Sequence, residues 1–175
     1  MLITAVDSTR RLFQISDILP ADTVERILTH DWLSEPNQPA PRQENLIRRH
    51  VTGPQAAWLA DSIAQSVDTE FYYVTTMVWL DLPGFECPIH LDSHRGTVLQ
   101  LYWLADDARL GTYFYHDHLG TNLRYAAEFK ANTGYILLDN PANGLVMTPS
   151  WHGVPNSSLI DTYRLSTYSI ICSRI

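Results

Sequence analysis

The feature that most constrains the fold is a series of short segments, rich in β-branched and aromatic residues, that begins near residue 70. The series starts with FYYVTTMVWLDL and continues with GTVLQLYWL, TYFYH, RYAAEF, GYILLDN, LVMTP and TYRLSTYSIICS. Glycine, asparagine, aspartate and proline separate these segments, which is typical of an all-β sandwich or jelly roll. Because no helical pattern alternates with them, a parallel α/β sheet is disfavoured. The sequence therefore predicts a mainly β protein whose jelly-roll core spans residues 70–175.

The first 69 residues have a different pattern. PADTVERILTHDWL opens with Pro20 and has acidic residues in its first turn, and GPQAAWLADSIAQSV has apolar residues at helical spacing, so both stretches predict helices. The intervening SEPNQPAPRQENLIRRH contains several prolines, which forbid a regular helix or a central strand. It is predicted to be a surface loop that could serve as a lid. We expect one domain, residues 1–175, in which residues 1–69 are mostly helical support and loop.

Composition and charge exclude some classes of function. Lysine and arginine number 12 against 19 aspartates and glutamates, which gives a net charge of −7 over 175 residues. Such a chain lacks the basic surface of a nucleic-acid-binding protein, so we expect no duplex nucleic acid as a partner. We also expect no membrane association, because no apolar run reaches transmembrane length and the N-terminus lacks the basic-then-apolar order of a signal peptide. Two cysteines, Cys87 and Cys172, make no disulfide framework; we interpret them as small core residues of a cytoplasmic protein.

The segment CPIHLDSHRG, residues 87–96, contains the residues most suggestive of a metal site. His90 and Asp92 are two apart, so on an extended strand their side chains point to one face. His152 lies 152 − 92 = 60 residues after Asp92, on a later predicted strand. Two imidazoles and one carboxylate can hold Fe(II) on one face of an octahedron and leave open the positions that a co-substrate and dioxygen need. A structural zinc site would instead recruit thiolates and be closed.

A second polar pair follows on the last predicted strand. Arg164 and Ser166 are two apart and therefore share a face of that strand. A guanidinium can bind a carboxylate at two points, and Ser166 can add a hydrogen bond. A dicarboxylate that chelates the metal at its other end would supply the anion that a buried arginine needs. The alternatives are a surface salt bridge for Arg164 and a solvated histidine–aspartate pair for His90 and Asp92.

Four stretches in this order resemble the 2-oxoglutarate- and Fe(II)-dependent dioxygenases, and among them the small prolyl-hydroxylase-like members. The stretches are LPGFECPIHLD, RGTVLQLYWLADDARLGTYFY, TGYILLDNPANGLVMTPSWHGVPN and YRLSTYSI, and together they cover roughly 100 residues. The resemblance implies a double-stranded β-helix in which His90, Asp92 and His152 bind iron. It also implies that Arg164, with Ser166, anchors the distal carboxylate of 2-oxoglutarate.

The same resemblance implies a reaction. It would couple conversion of 2-oxoglutarate to succinate and CO2, with O2 as oxidant and ascorbate as a supporting reductant, to hydroxylation or a related oxidation of a C–H bond. A small molecule or a peptide side chain is favoured as substrate by elimination. Two alternatives remain open: a cupin-like metalloenzyme that does not use 2-oxoglutarate, and a non-catalytic jelly roll that binds a small molecule.

One position departs from the pattern of this family. Relatives often carry a tyrosine just before the Pro-Gly turn that helps to hold 2-oxoglutarate, whereas this chain has Asp81 or Leu82 there. Tyr102 and Trp103 compete for the place of an inward tyrosine on the strand after His-x-Asp, and they point to opposite faces. Trp103 fits the alignment better and can donate through its indole N–H. It is therefore predicted to contact the co-substrate.

Other polar residues have weaker signals. His94 is interpreted as a pocket-rim residue or a solvated histidine, and YHDHLG, with His116 and His118, as a turn. The Arg48-Arg49-His50 triplet is interpreted as a solvated basic turn, with contact to an anionic substrate as the alternative.

Overall fold

The structure, a computed structural model, describes residues 1–7, 11–40, 47–67, 71–92, 97–138 and 150–173. Within these ranges the chain forms two α-helices, α1 Ala21–Thr29 and α2 Pro54–Ser66. The strands there are β1 Leu2–Ala5, β2 Leu12–Ser16, β3 Asn37–Pro39, β4 Arg48–Val51, β5 Phe71–Asp81, β6 Cys87–His90, β7 Thr97–Leu104, β8 Thr112–Tyr115, β9 Leu123–Ala127, β10 Thr133–Leu137, β11 Trp151–Val154 and β12 Arg164–Ser173.

These strands form two antiparallel sheets. The larger sheet has the order β1-β2-β10-β7-β12-β5-β4-β3, and the smaller has the order β6-β11-β8-β9. Strands distant in sequence are therefore neighbours: β12, the last strand described, lies between β5 and β7. The two-sheet, all-antiparallel arrangement with helices confirms the prediction of a mainly β, jelly-roll-like fold with N-terminal helices.

The outer face of the larger sheet packs against the two helices. Ile27 of α1 and Leu59 and Ile63 of α2 are buried against alternate residues of the central strands, including Leu101 on β7 and Leu80 on β5. Pro54 begins α2 at a position where its missing N–H costs no hydrogen bond. Burial of these apolar stripes fixes the helices on one side of the sheet and leaves the other face free to meet the smaller sheet.

The inner face of the larger sheet forms a second apolar cluster with the smaller sheet. Within it, Tyr135 on β10 contacts both Tyr102 on β7 and Phe114 of β8. Gly134 permits close packing of β10 on β7, because a Cβ atom there would lie 1.9 Å from the backbone oxygen of Gln100. The inner face is therefore apolar around a set of polar side chains that belong to the candidate active site.

The predicted organisation of residues 1–69 needs correction. Both helices are present, but this part of the chain also contains four strands, β1 to β4, that extend the larger sheet at its two edges. The proline-rich stretch predicted as a loop contributes β3 and the start of β4; residues 41–46 lie outside the described residues. Pro39 is tolerated because β3 is an edge strand, where a missing N–H breaks no ladder. No helix in the described ranges is long and apolar enough to cross a membrane.

Candidate active site

The structure brings His90, Asp92 and His152 together. His90 ends β6 and is the register partner of His152 on the neighbouring β11. The centroids of the two imidazole rings therefore lie 4.6 Å apart. The Asp92 carboxylate lies 3.6 Å from the Nε2 atom of each histidine. One ligand atom from each residue falls within 4.8 Å of the others, although 60 residues separate Asp92 from His152 in the sequence.

Both histidines present the nitrogen that a metal requires. The Nδ1 atom of His90 lies 2.9 Å from the carbonyl oxygen of Pro88, and that of His152 lies 2.9 Å from the carbonyl oxygen of Ser150. A carbonyl only accepts hydrogen bonds, so each Nδ1 carries a hydrogen and the lone pair of the neutral ring is on Nε2. Neighbouring octahedral ligands at about 2.1 Å from a metal are roughly 3 Å apart. The three side chains therefore fit a divalent ion after small rotations.

The polar groups around His90 also change the pKa of its imidazole. Asp92, followed by Cys87, raises the pKa of His90 to about 10, so a metal ion competes with a proton for this imidazole.

The sequence suggests a core position for Cys87, but the structure places it half-buried on the wall of a cavity beside His90. The side chain of Cys172 lies outside the described part of the chain.

The three residues open into a cavity of about 280 Å³ between the two sheets, close to the lower end of the range for small-molecule sites. The small sheet contributes His90, His152, Thr112 and Val154, and Asp92 follows the end of β6. The large sheet contributes apolar and polar side chains, namely Met77, Trp79, Gln100, Tyr135, Tyr168 and Ile170, and two arginines, Arg48 and Arg164. The cavity thus combines a candidate metal site with guanidinium groups.

Arg164 is buried on the cavity wall, with 1% of its surface exposed. Its Nε donates to Oδ2 of Asp81 at 2.9 Å, its Nη2 lies in ion-pair contact with the same oxygen at 2.8 Å, and its Nη1 donates to the carbonyl oxygen of Leu110 at 2.6 Å. Asp81 is one of the two residues, with Leu82, that stand where the resemblance leads one to expect a tyrosine. Arg164 therefore lies where the sequence placed it, but it already has an internal counter-ion.

Asp81 also binds a second arginine. Arg48 donates through Nε to Oδ1 of Asp81 at 2.5 Å and through Nη2 to Oδ2 at 3.0 Å. Burial alone would raise the pKa of Asp81, but the two guanidiniums outweigh that effect and hold the pKa below its ordinary value. The Phe85 ring covers both arginines, 4.2 Å from the Arg48 guanidinium and 5.5 Å from that of Arg164, which restricts their access to water.

The interpretation of Arg48 as part of a solvated basic turn is therefore wrong. Arg48 belongs to β4, whose pairing with β5 places it opposite Asp81, and only 16% of its side chain is exposed. The sequence does not predict this strand, because the prolines that precede it indicate a loop. Its neighbours Arg49 and His50 are half-buried on the same strand and do not line the cavity.

Neither Ser166 nor Trp103 lines the cavity, and the role of Ser166 beside Arg164 stays a prediction. Ser166 is fully buried beneath the cavity wall, where its Oγ accepts a hydrogen bond from Gln100 at 3.5 Å. Trp103 packs in the cluster beneath the helices and donates its indole hydrogen to Thr167 at 3.2 Å. Because Gln100 faces the cavity, alternation along β7 turns Trp103 to the opposite face, so the structure contradicts its assignment as a cavity residue.

Two polar residues on the cavity wall have no counterpart among the residues predicted from the sequence. Tyr135 donates to Oε1 of Gln100 at 2.6 Å, and the same Gln100 reaches Ser166. Burial raises the pKa of Tyr135 well above that of a free phenol, so its hydroxyl remains a donor. In the sequence, the feature that indicates this hydrogen-bonded group is Gln100, a glutamine among the apolar residues of TVLQLYWL.

The remaining histidine predictions have mixed outcomes. His116 and His118 lie in a turn, as predicted, in which the Asp117 carboxylate accepts from the backbone N–H groups of Leu119, Thr121 and Asn122. Neither histidine lines the cavity. His94 lies outside the described residues, so its role stays a prediction.

Comparison with known proteins gives matches in structure only. No protein-family model matches the chain, and no curated protein matches it by sequence. A prolyl-4-hydroxylase of Pseudomonas putida superimposes with a TM-score of 0.60 at 18% identity over 98% of each chain. A viral collagen prolyl hydroxylase from Paramecium bursaria Chlorella virus-1, solved with 2-oxoglutarate, gives a TM-score of 0.53 at 12% identity, covering 94% of this chain and 97% of that one.

The fold is therefore that of the 2-oxoglutarate oxygenases. Within that class, both of these structures are prolyl hydroxylases, which agrees with the resemblance seen in the sequence. At these identities the similarity establishes the fold alone.

Proposed function

We propose that the protein is an Fe(II)- and 2-oxoglutarate-dependent oxygenase that hydroxylates a C–H bond of a small molecule or a peptide side chain. The observation that carries this proposal is the presence, in one cavity, of the group His90, Asp92 and His152 and of the buried guanidinium of Arg164. A keto dicarboxylate suits this pocket, because its keto-acid end can chelate the metal while its other carboxylate pairs with the guanidinium.

Each residue has a role in this proposal. His90, Asp92 and His152 would hold Fe(II), which when bound supplies dioxygen activation and the oxidative decarboxylation of 2-oxoglutarate. The backbone carbonyls of Pro88 and Ser150 orient the two imidazoles. Arg164 would orient the distal carboxylate of the co-substrate.

The apolar part of the cavity wall would keep water away from the reacting groups. Met77, Trp79 and Ile170 line the cavity together with the polar groups. Apolar side chains exclude water, which strengthens charge interactions inside the site and limits side reactions. The cavity volume favours a small reacting group, whether this belongs to a free molecule or to a side chain of a peptide.

A second candidate, a metalloenzyme that does not use 2-oxoglutarate, is favoured by one observation. Asp81 already neutralises Arg164, so Arg164 alone offers no net positive charge to a carboxylate. The two candidates differ in whether the metal-loaded protein binds 2-oxoglutarate, which makes this binding the decisive measurement.

The test is an anaerobic titration of 2-oxoglutarate into the Fe(II)-loaded protein, followed through the metal-to-ligand charge-transfer band. We expect a saturable band in the wild type and succinate release in the presence of O2 and ascorbate. His152→Ala should weaken Fe(II) binding by more than about 100-fold, since loss of an outer-shell partner alone costs 10- to 100-fold. His118→Ala, in the turn outside the cavity, is the matched control and should leave metal affinity unchanged.

Two results would count against this function. Stoichiometric iron in His152→Ala would remove the proposed metal site. A wild-type protein that binds Fe(II) but shows no band with 2-oxoglutarate would leave the second candidate as the better description.

A further inference from the structure

The charge around Arg164 shows that this residue is not sufficient as an anion-binding group. Its Nε donates to Asp81 and its Nη2 lies in ion-pair contact with the same carboxylate, and the pair carries no net charge. A buried ion pair already compensates the desolvation of both partners. A dicarboxylate that approached Arg164 and Asp81 alone would meet a carboxylate as well as a guanidinium.

Arg48 changes this balance. It shares Asp81 with Arg164, so the three side chains together carry one net positive charge on the cavity wall. The ring of Phe85 lies over both guanidiniums, and little of Arg48 reaches solvent. An uncompensated buried charge is costly, so this group is suited to receive one anionic group from a ligand.

Arg48 also retains hydrogen-bond donors for such a ligand. A guanidinium has five N–H groups, and the contacts of Arg48 with Asp81 use one on Nε and one on Nη2. The described residues provide no acceptor for its Nη1 atom. In Arg164, by contrast, all three nitrogen atoms have a partner: Nε and Nη2 contact Asp81, and Nη1 donates to Leu110.

We propose that Arg48 is a second residue that binds the distal carboxylate of 2-oxoglutarate, and that Asp81 is a positioning residue that orients both guanidiniums. This inference rests on the proposed function. Asp81 contacts two nitrogen atoms of each arginine, and therefore sets the angle between two planar groups that face one ligand. Two guanidiniums can then hold one carboxylate from two sides.

The charges of the ligand and the site agree with this assignment. Fe(II) with the Asp92 carboxylate carries one net positive charge, and the group of Arg48, Arg164 and Asp81 carries another. With the Cys87 thiol counted as neutral, the sum matches the two negative charges of 2-oxoglutarate. Without Arg48, the distal carboxylate would remain uncompensated in a cavity that excludes water.

The experiment compares two keto acids that differ only at the proposed contact. 2-Oxopentanoate has the same metal-chelating end as 2-oxoglutarate and a methyl group in place of the distal carboxylate. Affinity for both is measured anaerobically by the charge-transfer band of the Fe(II) protein, and metal affinity is measured separately with Mn(II) by electron paramagnetic resonance.

Arg48→Met should weaken 2-oxoglutarate binding by about 10- to 100-fold, the equivalent of one hydrogen bond to a charged group. Binding of 2-oxopentanoate and of Mn(II) should change by less than about threefold, because neither contacts Arg48. Arg109→Met, which removes an exposed arginine paired with Asp107, is the matched control and should change none of these affinities.

Selectivity separates the possible outcomes. Equal 2-oxoglutarate affinity in Arg48→Met and wild type would overturn the inference, and so would an equal loss of both keto acids, which indicates a structural role only. If Arg48→Met does not fold, Arg48→Lys keeps the charge but not the planar fork, and it should show the same selective loss at smaller size. A wild-type protein that binds neither keto acid would instead overturn the proposed function itself.

Discussion

Asp81→Asn is the substitution that most directly tests how the cationic group is held together. Asp81 is fully buried and accepts hydrogen bonds from two nitrogens of Arg48 and one of Arg164, whose Nη2 also lies in ion-pair contact with it. Asparagine has nearly the same shape but no charge, and its amide nitrogen would face guanidinium donors. The variant therefore leaves two like charges close together with no counter-ion.

The expected cost follows from this geometry. Removal of one partner from a buried ion pair costs about 3–5 kcal/mol, and here one substitution affects two guanidiniums. For a chain of 175 residues, each kcal/mol shifts the melting temperature by about 2–4 °C. We therefore expect Asp81→Asn to lower the melting temperature by about 6–20 °C.

The pH dependence gives a second, independent signature of the same charge. Because the guanidiniums hold the pKa of Asp81 below its ordinary value of 3.8, the unfolded chain takes up this proton at a higher pH than the folded protein does. The contribution of Asp81 is therefore complete above pH 3.8 and is lost as the pH falls below it. Asp81→Asn should lack this part of the acid destabilisation.

Thermal denaturation measures the change in melting temperature, and urea denaturation followed by tryptophan fluorescence, at neutral pH and at a series of acid pH values, measures the free energy of unfolding and its pH dependence. Asp107→Asn, at the surface pair with Arg109, is the control and should change stability little. A free energy of unfolding for Asp81→Asn within about 1 kcal/mol of wild type at neutral pH would refute the view that Asp81 is the required counter-ion.

Two further predictions concern positions on the large sheet. Trp103→Phe should destabilise the protein by about 1–3 kcal/mol in urea denaturation, through lost packing and the lost bond to Thr167, while 2-oxoglutarate affinity stays unchanged; a selective loss of affinity would return Trp103 to the site. Gly134→Ala should cost more than about 2 kcal/mol in the same assay, because its methyl group would overlap the Gln100 carbonyl, and a neutral effect would mean that β10 and β7 separate easily.

The parts of the fold and site that depend on local pattern could be predicted from the sequence. Strands β5, β7, β8, β9, β10 and β12 and both helices follow from residue type and periodicity, whereas the predicted strand LVMTP lies outside the described residues. The pairing of His90 with Asp92 needs only the alternation of an extended strand. His152 required the order of four stretches as well, since no local rule indicates that β11 lies beside β6.

The parts that depend on register could not be predicted. Trp103 and Tyr102 were ambiguous because β7 is buried on both faces, so apolar residues occur at odd and even positions alike and alternation gives no direction. Strands β1 to β4 were missed because each has only three to five residues, too few for a periodic signal. The position of Arg48 could not be predicted either, because β4 is one of these short strands and because its partner Asp81 is 33 residues away in the sequence.

The departure at Asp81 and the burial of Arg48 have one explanation under the proposed function. Position 81 is one of the two, with 82, at which the resemblance leads one to expect a tyrosine that helps to hold 2-oxoglutarate, and a tyrosine hydroxyl can donate a hydrogen bond. An aspartate only accepts hydrogen bonds and repels another carboxylate, so the exchange removes a donor and neutralises Arg164. A second arginine restores both the donor and the positive charge, and β4 supplies it directly opposite Asp81. The aspartate would therefore be tolerable at this position only together with Arg48, and the two residues are best understood as one functional unit.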